Sequence, residues 1–294
     1  MISRRRVVLA VVAGGVVAGC ADLMTRTSDG PATPGALPAV TQSRTKGAAP
    51  RRTARPAALT VTRAEVVARY GHLTPHTWGF DGPGVVRSLP TTKRVIALTF
   101  DACGGPGGSG YDQDLIDFLR RREIPATLFI NSRWIDANPG LFRRLAAEPL
   151  FEIANHGTRH RPLSVSGRSA YGIAGTRDAG EVYDEVAGNH VKLTRLLGAP
   201  PRFFRSGTAY CDDIAARIVT DLGERFANFS VNGDGGATFT PEQVRRTVAA
   251  AGSGSVVIGH MNQPQGGTAE GIAAAVPQLL ASGHQFVRLS DGLR

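Results

Sequence analysis

Short apolar runs alternate with amphipathic stretches along most of the chain, from Val95 onward. The run VIALTF (95–100) is apolar except for Thr99, which is typical of a strand buried on both faces. The stretch 111–124 that follows places its apolar residues on one helical face. The same alternation predicts further strands at 126–131, 150–155, 201–207, 225–231, 254–260 and 284–290. It predicts helices at 61–72, 139–148, 181–198, 212–223, 241–252 and 269–283.

This order of elements indicates the fold class. About seven strand–helix units in succession predict an α/β fold built on a parallel sheet. A closed barrel of this type has eight strands. Because the count here is nearer seven, we predict a distorted, incomplete (β/α)7-type barrel.

The first twenty residues have the pattern of a bacterial export signal. A basic segment, MISRRR, precedes a short run of small apolar residues that ends in VAGC. This ending resembles a lipobox, so we predict a lipoprotein signal peptide at 1–20 with a lipid anchor at Cys20. An uncleaved anchor with an incidental cysteine is the alternative, and the choice between general and twin-arginine export stays open. Either way, we expect the domain to work on the periplasmic or extracellular face of the membrane.

The charge of the chain is concentrated near its N-terminus. Residues 1–60 hold nine basic and two acidic residues, a net of +7, and the rest of the chain carries 25 basic against 22 acidic, a net of +3. Residues 21–60 are rich in Pro, Ala, Thr and Arg, which predicts a flexible tether ahead of one catalytic domain at 61–294. No basic stripe interleaved with aromatic residues is present, so we expect no nucleic-acid partner.

Polar side chains that can bind metal or transfer protons follow the predicted strands. They are Asp101, His156, His160, Arg205, Asp234 and His260. Because the carboxyl ends of parallel strands meet at one edge, we expect these side chains to form one site. HGTRH places two imidazoles four residues apart, and on a helical turn both would face one divalent cation, preferably Zn²⁺.

The ordered segments TFDACGG, NHGTRH, FFRSGTAY and VVIGHMN resemble the polysaccharide deacetylases (the NodB-homology fold, carbohydrate esterase family 4). The resemblance covers about residues 93–290. It implies that Asp101 is the general base and that Arg205 orients it. It also implies that Asp234 is the acidic partner of this arginine and that His260 is the general acid.

The resemblance further implies that His156 and His160 bind the metal, but the usual carboxylate ligand is Ala102 here. Three explanations are open. Asp101 ligates the metal as well as acting as base; another group completes the shell, such as Asp112, Asp212 or a water; or the site has decayed.

Two cysteines, Cys103 and Cys211, follow the first and third of these segments. In an exported protein they could form a disulfide that ties two loops of the site. They could equally be free thiols without a role, or one sulfur could replace the missing ligand, since zinc accepts thiolate.

The function that the resemblance implies is hydrolytic removal of N-acetyl groups from an amino-sugar polymer, either peptidoglycan or an exopolysaccharide. Two other classes stay open. One is a hydrolase of small-molecule amides or other C–N bonds on the same fold. The other is a glycan-binding lipoprotein without catalytic activity.

Overall fold

The structure, a computed structural model, describes residues 59–294. The predicted signal peptide, its Cys20 and nearly all of the predicted tether lie outside these residues. Within the described part of the chain, no helix is both long and apolar enough to cross a bilayer.

Ten strands are formed between residues 59 and 294. They are β1 (Trp78–Gly79), β2 (Val95–Ala102), β3 (Ala126–Ile130), β4 (Phe151–Asn155), β5 (Phe203–Phe204), β6 (Cys211–Asp212), β7 (Arg225–Phe226), β8 (Val231–Asn232), β9 (Val256–His260) and β10 (Gln285–Phe286). The main sheet has the order β7–β5–β4–β3–β2–β9–β8, and every neighbouring pair in it is parallel. β10 adds to β2, also in parallel, and β1 pairs separately with β6. The predicted parallel sheet is confirmed.

The two edges of this sheet belong to one short stretch of chain. β7 ends at Phe226 on one edge, and β8 begins at Val231 on the opposite edge. Seven strands laid flat would separate the edge strands by about 29 Å, whereas five residues span at most about 18 Å. The sheet therefore has to curl until its edges approach each other, which confirms the incomplete barrel. The run predicted as one strand at 225–231 is therefore divided: it begins with β7 at one edge of the sheet and ends at the first residue of β8 at the other edge.

Nine helices surround the sheet in the described residues. They are α1 (Arg63–Tyr70), α2 (Gln113–Arg121), α3 (Ser132–Ala137), α4 (Pro139–Ala147), α5 (Ala179–Leu197), α6 (Asp213–Asp221), α7 (Pro241–Ala249), α8 (Thr268–Ala281) and α9 (Leu289–Gly292). Their ends follow local chemistry: the Asp112 side chain accepts the backbone N–H of Leu115 at the start of α2, and Gly198 ends α5 in the left-handed conformation. The predicted strand at 284–290 is extended only at β10 and turns helical at Leu289.

Strand β2 separates the apolar core from the functional face. Its even-numbered side chains, from Ile96 to Ala102, pack in the largest apolar cluster together with side chains of α2 and α8. Its odd-numbered side chains include Thr99 and Asp101, which are polar and buried on the other face. The methyl group of Ala102 therefore belongs to the core, and Cys103 is the next residue in the alternation on the side of Asp101.

Candidate active site

The ends of parallel strands bring the predicted residues to one rim of the curled sheet. Asp101 on β2 lies in register with His260 on β9. His156 directly follows β4, and Arg205 directly follows β5. Neighbouring strands lie about 4.8 Å apart, so side chains from separate motifs become contact partners here.

Asp101 is a buried carboxylate held by a buried arginine. Arg205 Nη1 lies 2.7 Å from Asp101 Oδ1, and Arg205 Nη2 donates to Thr99 Oγ1. The same guanidinium donates to the backbone carbonyls of residues 227 and 228 and lies over the ring of Phe129. Burial by itself raises the pKa of Asp101, but Arg205 and the nearby imidazoles outweigh burial and hold this pKa below its usual value. Asp101 is therefore ionised at neutral pH.

Asp234 pairs with His260, so the prediction that it partners Arg205 is wrong. Asp234 Oδ1 lies 3.0 Å from His260 Nδ1, while its Oδ2 accepts hydrogen bonds from the backbone N–H of His260 and from Thr268 Oγ1. Strand order and donor use explain this. Asp234 follows β8, the neighbour of β9, which ends at His260. The Arg205 guanidinium instead donates to Asp101, Thr99 and two backbone carbonyls.

The pairing shifts the pKa of both partners in opposite directions. Burial raises the pKa of Asp234, but its hydrogen bonds with His260 and Thr268 outweigh burial, and the pKa is lowered. Burial lowers the pKa of His260, but Asp234 and the Cys103 thiol outweigh it and raise this pKa well above its usual value. The pair is thus a carboxylate beside an imidazole that keeps its proton at neutral pH.

His156 and His160 face each other, although the helical turn predicted for HGTRH does not form. Residues 156–160 are a loop in which His160 has a φ of 62°, and the two ring centroids are 4.9 Å apart. Glu185 on α5 shapes this loop by accepting the backbone N–H groups of Thr158 and Arg159. The backbone of this loop is therefore held by the buried Glu185 carboxylate on α5 and not by the hydrogen bonds of a helical turn.

A sulfur atom lies beside the two imidazoles. Cys103 Sγ and one ring nitrogen of each histidine all lie within 4.8 Å of one another, and Sγ is 3.8 Å from His156 Nε2. Asp101 Oδ2 is 3.5 Å from the same nitrogen but does not belong to that group. Burial raises the pKa of the Cys103 thiol, but hydrogen bonds with the surrounding imidazoles outweigh burial and hold it well below its usual value.

The other groups considered as metal ligands have structural roles. Cys103 and Cys211 are both free thiols, so the disulfide interpretation is wrong. Cys211 is buried in β6 within a separate apolar cluster, where burial raises the pKa of its thiol. Asp112 and Asp212 cap the N-termini of α2 and α6.

The rim opens into a cavity of about 390 Å³. Its lining includes Cys103, His160 and His260 of the site, together with Gly104, Arg133 and Asn262. The loop after Cys103 has to turn at once, and Gly104 has a φ of 67°. A Cβ at Gly104 would lie 2.5 Å from the backbone nitrogen of Trp134, so only glycine fits this turn. The cavity gives a small substrate group access to the Cys103 thiol and to the imidazoles of His160 and His260.

Glu185 and Thr268 are site residues that the motifs do not mark. Glu185 is an acidic residue on the apolar face of α5, between Val182 and Val186. An acid in such a position is a usable sequence signal, because a buried carboxylate needs donors to compensate for lost hydration. Thr268 carries no comparable signal, since its contact with Asp234 depends on where α8 packs.

Comparisons with known proteins are consistent with this geometry. The family model for polysaccharide deacetylase matches residues 88–227, which include Asp101, His156, His160 and Arg205. The peptidoglycan-N-acetylglucosamine deacetylase of Bacillus cereus is 27% identical over 218 residues, which cover 71% of this chain and 93% of that protein. A chitooligosaccharide deacetylase from a Bradyrhizobium species is 27% identical over 175 residues, covering 59% of this chain and 73% of that protein.

One of the solved structures with the same fold is a pseudoenzyme. A pseudoenzyme of carbohydrate esterase family 4 from Bacillus anthracis matches with a TM-score of 0.61 and 18% identity, covering 72% of this chain and 70% of its own. Likeness at that identity establishes the fold. Because this neighbour is a pseudoenzyme, activity has to be argued from the side chains at the site.

Proposed function

We propose that this chain, which the polysaccharide deacetylase family model matches over residues 88–227, is a metal-dependent hydrolase that removes N-acetyl groups from amino-sugar polymers. One observation carries the proposal. The ionised Asp101 lies in register on the adjacent strand with the carboxylate-linked His260, which lines the cavity, and Asp101 Oδ2 is 3.5 Å from His156 Nε2. An amide hydrolase needs a base for the attacking water and an acid for the leaving amine, and these two side chains suit those roles.

The two imidazoles fit a divalent cation. His156 Nδ1 lies 3.0 Å from the backbone carbonyl oxygen of Arg205. A carbonyl can only accept a hydrogen bond, so Nδ1 carries a proton, and Nε2 is the nitrogen that faces Cys103 and whose lone pair a cation would take. When bound there, a divalent cation, preferably Zn²⁺, polarises the amide carbonyl and lowers the pKa of a water molecule.

Asp101 is proposed to accept the proton of the attacking water. Arg205 occupies Oδ1, which leaves Oδ2 as the oxygen that faces His156 Nε2. The guanidinium keeps the carboxylate ionised and prevents its rotation, because its other donors are fixed by Thr99 and the backbone. Arg205 is thus a positioning residue.

His260 is proposed to give its proton to the departing amine nitrogen. Its Nδ1 is engaged by Asp234, so Nε2 is the nitrogen that can serve the cavity. An amine is a poor leaving group without a proton, and the raised pKa of His260 keeps the imidazole protonated at neutral pH. Asp234 raises the proton affinity of this acid and fixes its ring orientation.

For the substrate, we propose peptidoglycan or an exopolysaccharide. The support is the pattern of the first twenty residues, which would place the domain outside the cytoplasmic membrane with a lipid at Cys20. The names of the two relatives, a peptidoglycan and a chitooligosaccharide deacetylase, agree with this class of polymer.

The test is acetate release by metal-loaded protein from N-acetylglucosamine oligomers and from peptidoglycan. We expect Asp101→Asn to lower kcat by about 10²- to 10⁴-fold, the usual contribution of a general base, while metal content and circular dichroism stay unchanged. Undiminished metal-dependent acetate release by this variant would remove Asp101 from the mechanism. Hydrolysis of ureides in place of sugars would support the small-molecule alternative, and glycan binding without acetate release would support the non-catalytic one.

A further inference from the structure

The missing carboxylate at position 102 leaves the metal site one protein ligand short. We propose that the thiolate of Cys103 is that ligand and that the chain holds its cation in a Cys103–His156–His160 centre. The inference deepens the proposed function, because it names the donor set of the same site. It also predicts which cations the site accepts.

The backbone explains why position 103 can replace position 102. Ala102 is the last residue of β2, and its methyl group is fully buried in the apolar cluster. A ligand at 102 in this conformation would point into the core. Cys103 is two residues beyond Asp101, on the same side in the alternation, and it lines the cavity.

The spacing of the donor atoms agrees with one cation. Tetrahedral zinc with bonds of about 2.0–2.3 Å separates its ligand atoms by about 3.5 Å. Cys103 Sγ and His156 Nε2 are 3.8 Å apart, and the donor atoms of all three residues lie within 4.8 Å of one another. Gly104 fixes the turn after the cysteine, since its φ is 67° and its surroundings exclude a Cβ.

The other candidate ligands lie outside this group of donor atoms. Asp101 Oδ1 is bound by Arg205 at 2.7 Å, and Asp101 Oδ2, although 3.5 Å from His156 Nε2, does not belong to the group. Asp112 and Asp212 each accept a backbone N–H group at a helix start. Cys211 is buried in another cluster. Within residues 59–294, one group of three His, Cys, Asp or Glu side chains has its ligand atoms close enough to hold a single cation, and its members are Cys103, His156 and His160.

A thiolate changes the chemistry of the site. One sulfur and two imidazoles form a soft donor set, which favours Zn²⁺ and Co²⁺ over Mg²⁺, Ca²⁺ and Mn²⁺. Three protein ligands also leave a fourth position, the arrangement found in catalytic zinc sites.

The test uses the full chain, freed of metal by a chelator and titrated with Co²⁺ under reducing, oxygen-free conditions. We expect one equivalent to bind and to produce a thiolate-to-cobalt charge-transfer band in the near ultraviolet. Cys103→Ser should lose the band and bind cobalt more than about a hundredfold more weakly, because even outer-shell partners of a metal site contribute about 10- to 100-fold. Cys103→Asp should bind cobalt without the band, and its binding shows that loss of the band does not reflect unfolding.

Matched controls are the other two cysteines. Cys211→Ser and Cys20→Ser should both keep the band. Cobalt bound without a thiolate band, or a band that survives Cys103→Ser, overturns the inference. Its failure is distinguishable from that of the proposed function: acetate release without the band refutes only the thiolate ligand, and the band without acetate release refutes only the deacetylase.

Discussion

Two histidine–carboxylate pairs in this protein have nearly the same chemistry and different surroundings. At the rim, His260 Nδ1 lies 3.0 Å from Asp234, and the imidazole reaches the cavity. Behind the sheet, His190 Nδ1 on α5 lies 2.7 Å from Glu224 Oε1, and both side chains are buried. The distances alone do not tell a proton donor from a structural contact.

The two carboxylates differ in how many hydrogen bonds they accept. Both oxygens of Asp234 have donors: Gly236 and His260 at Oδ1, Thr268 and the His260 backbone at Oδ2. The pKa of Asp234 is therefore lowered despite burial, which by itself raises it.

Glu224 concentrates its bonds on one oxygen. Oε1 accepts from His190 and from Asn155, whereas Oε2 is buried without a hydrogen-bond partner. Burial dominates, and the pKa of Glu224 is raised. The comparison teaches that the number of donors decides in which direction the pKa of a buried carboxylate shifts, and that access to the cavity decides whether the paired imidazole can serve a substrate.

The largest expected effect separates the two histidines by activity. His260→Asn should lower kcat for acetate release by about 10²- to 10⁴-fold, because the amide cannot supply a proton to the leaving amine. The matched His190→Asn should leave kcat of the folded protein at the wild-type level. It should instead lower the free energy of unfolding by about 3 kcal/mol, the cost of breaking a buried pair. Steady-state kinetics and urea unfolding of both variants check this, and equal kinetic losses would erase the distinction.

A smaller effect concerns the pH profile. Asp234 raises the pKa of His260, so Asp234→Asn should lower that pKa and move the basic limb of kcat/KM to lower pH. Above the new pKa, activity should fall about tenfold for each pH unit by which the limb has moved. Glu224→Gln is the control and should leave the limb in place. An unmoved limb in Asp234→Asn would show that His260 is not the acid titrating there.

The smallest effect is a difference in how stability depends on pH. Glu224 has a raised pKa in the folded protein, so the unfolded chain loses this proton first. Its destabilising contribution therefore grows as pH rises above the ordinary value of 4.5. Asp234 has a lowered pKa, so its stabilisation is complete above the ordinary value of 3.8 and is lost on acidification.

These signs predict opposite trends for two variants. As pH rises from 4 to 7, Glu224→Gln should gain stability relative to the wild type, by about 1.4 kcal/mol for each unit of raised pKa. Asp234→Asn should lose stability relative to the wild type and reach its full deficit just above the ordinary aspartate pKa. Urea unfolding at several pH values measures both trends, and parallel trends would contradict the assigned protonation states.

The amino-acid sequence by itself determined the alternation of the main strands and helices from Val95 onward and the polar residues that end the strands; the short β1, β6 and α3 and the division of 225–231 into β7 and β8 appeared only in the structure. Asp101, His156, Arg205 and His260 are predictable because a buried strand needs an apolar run, and the polar residue after it lies at the rim. The incomplete barrel also follows from the sequence, through the number of strand–helix units.

Partnerships at the rim were decided only by the tertiary structure. Chain order places Asp234 after Arg205, but β9 lies between β2 and β8, so the Asp234 carboxylate meets His260. Cys103 and Cys211 follow equivalent motifs, yet one faces two imidazoles and the other is buried in an apolar cluster. The physical reason is that contacts across a parallel sheet depend on strand order and on which face each side chain takes, and neither is fixed by spacing along the chain.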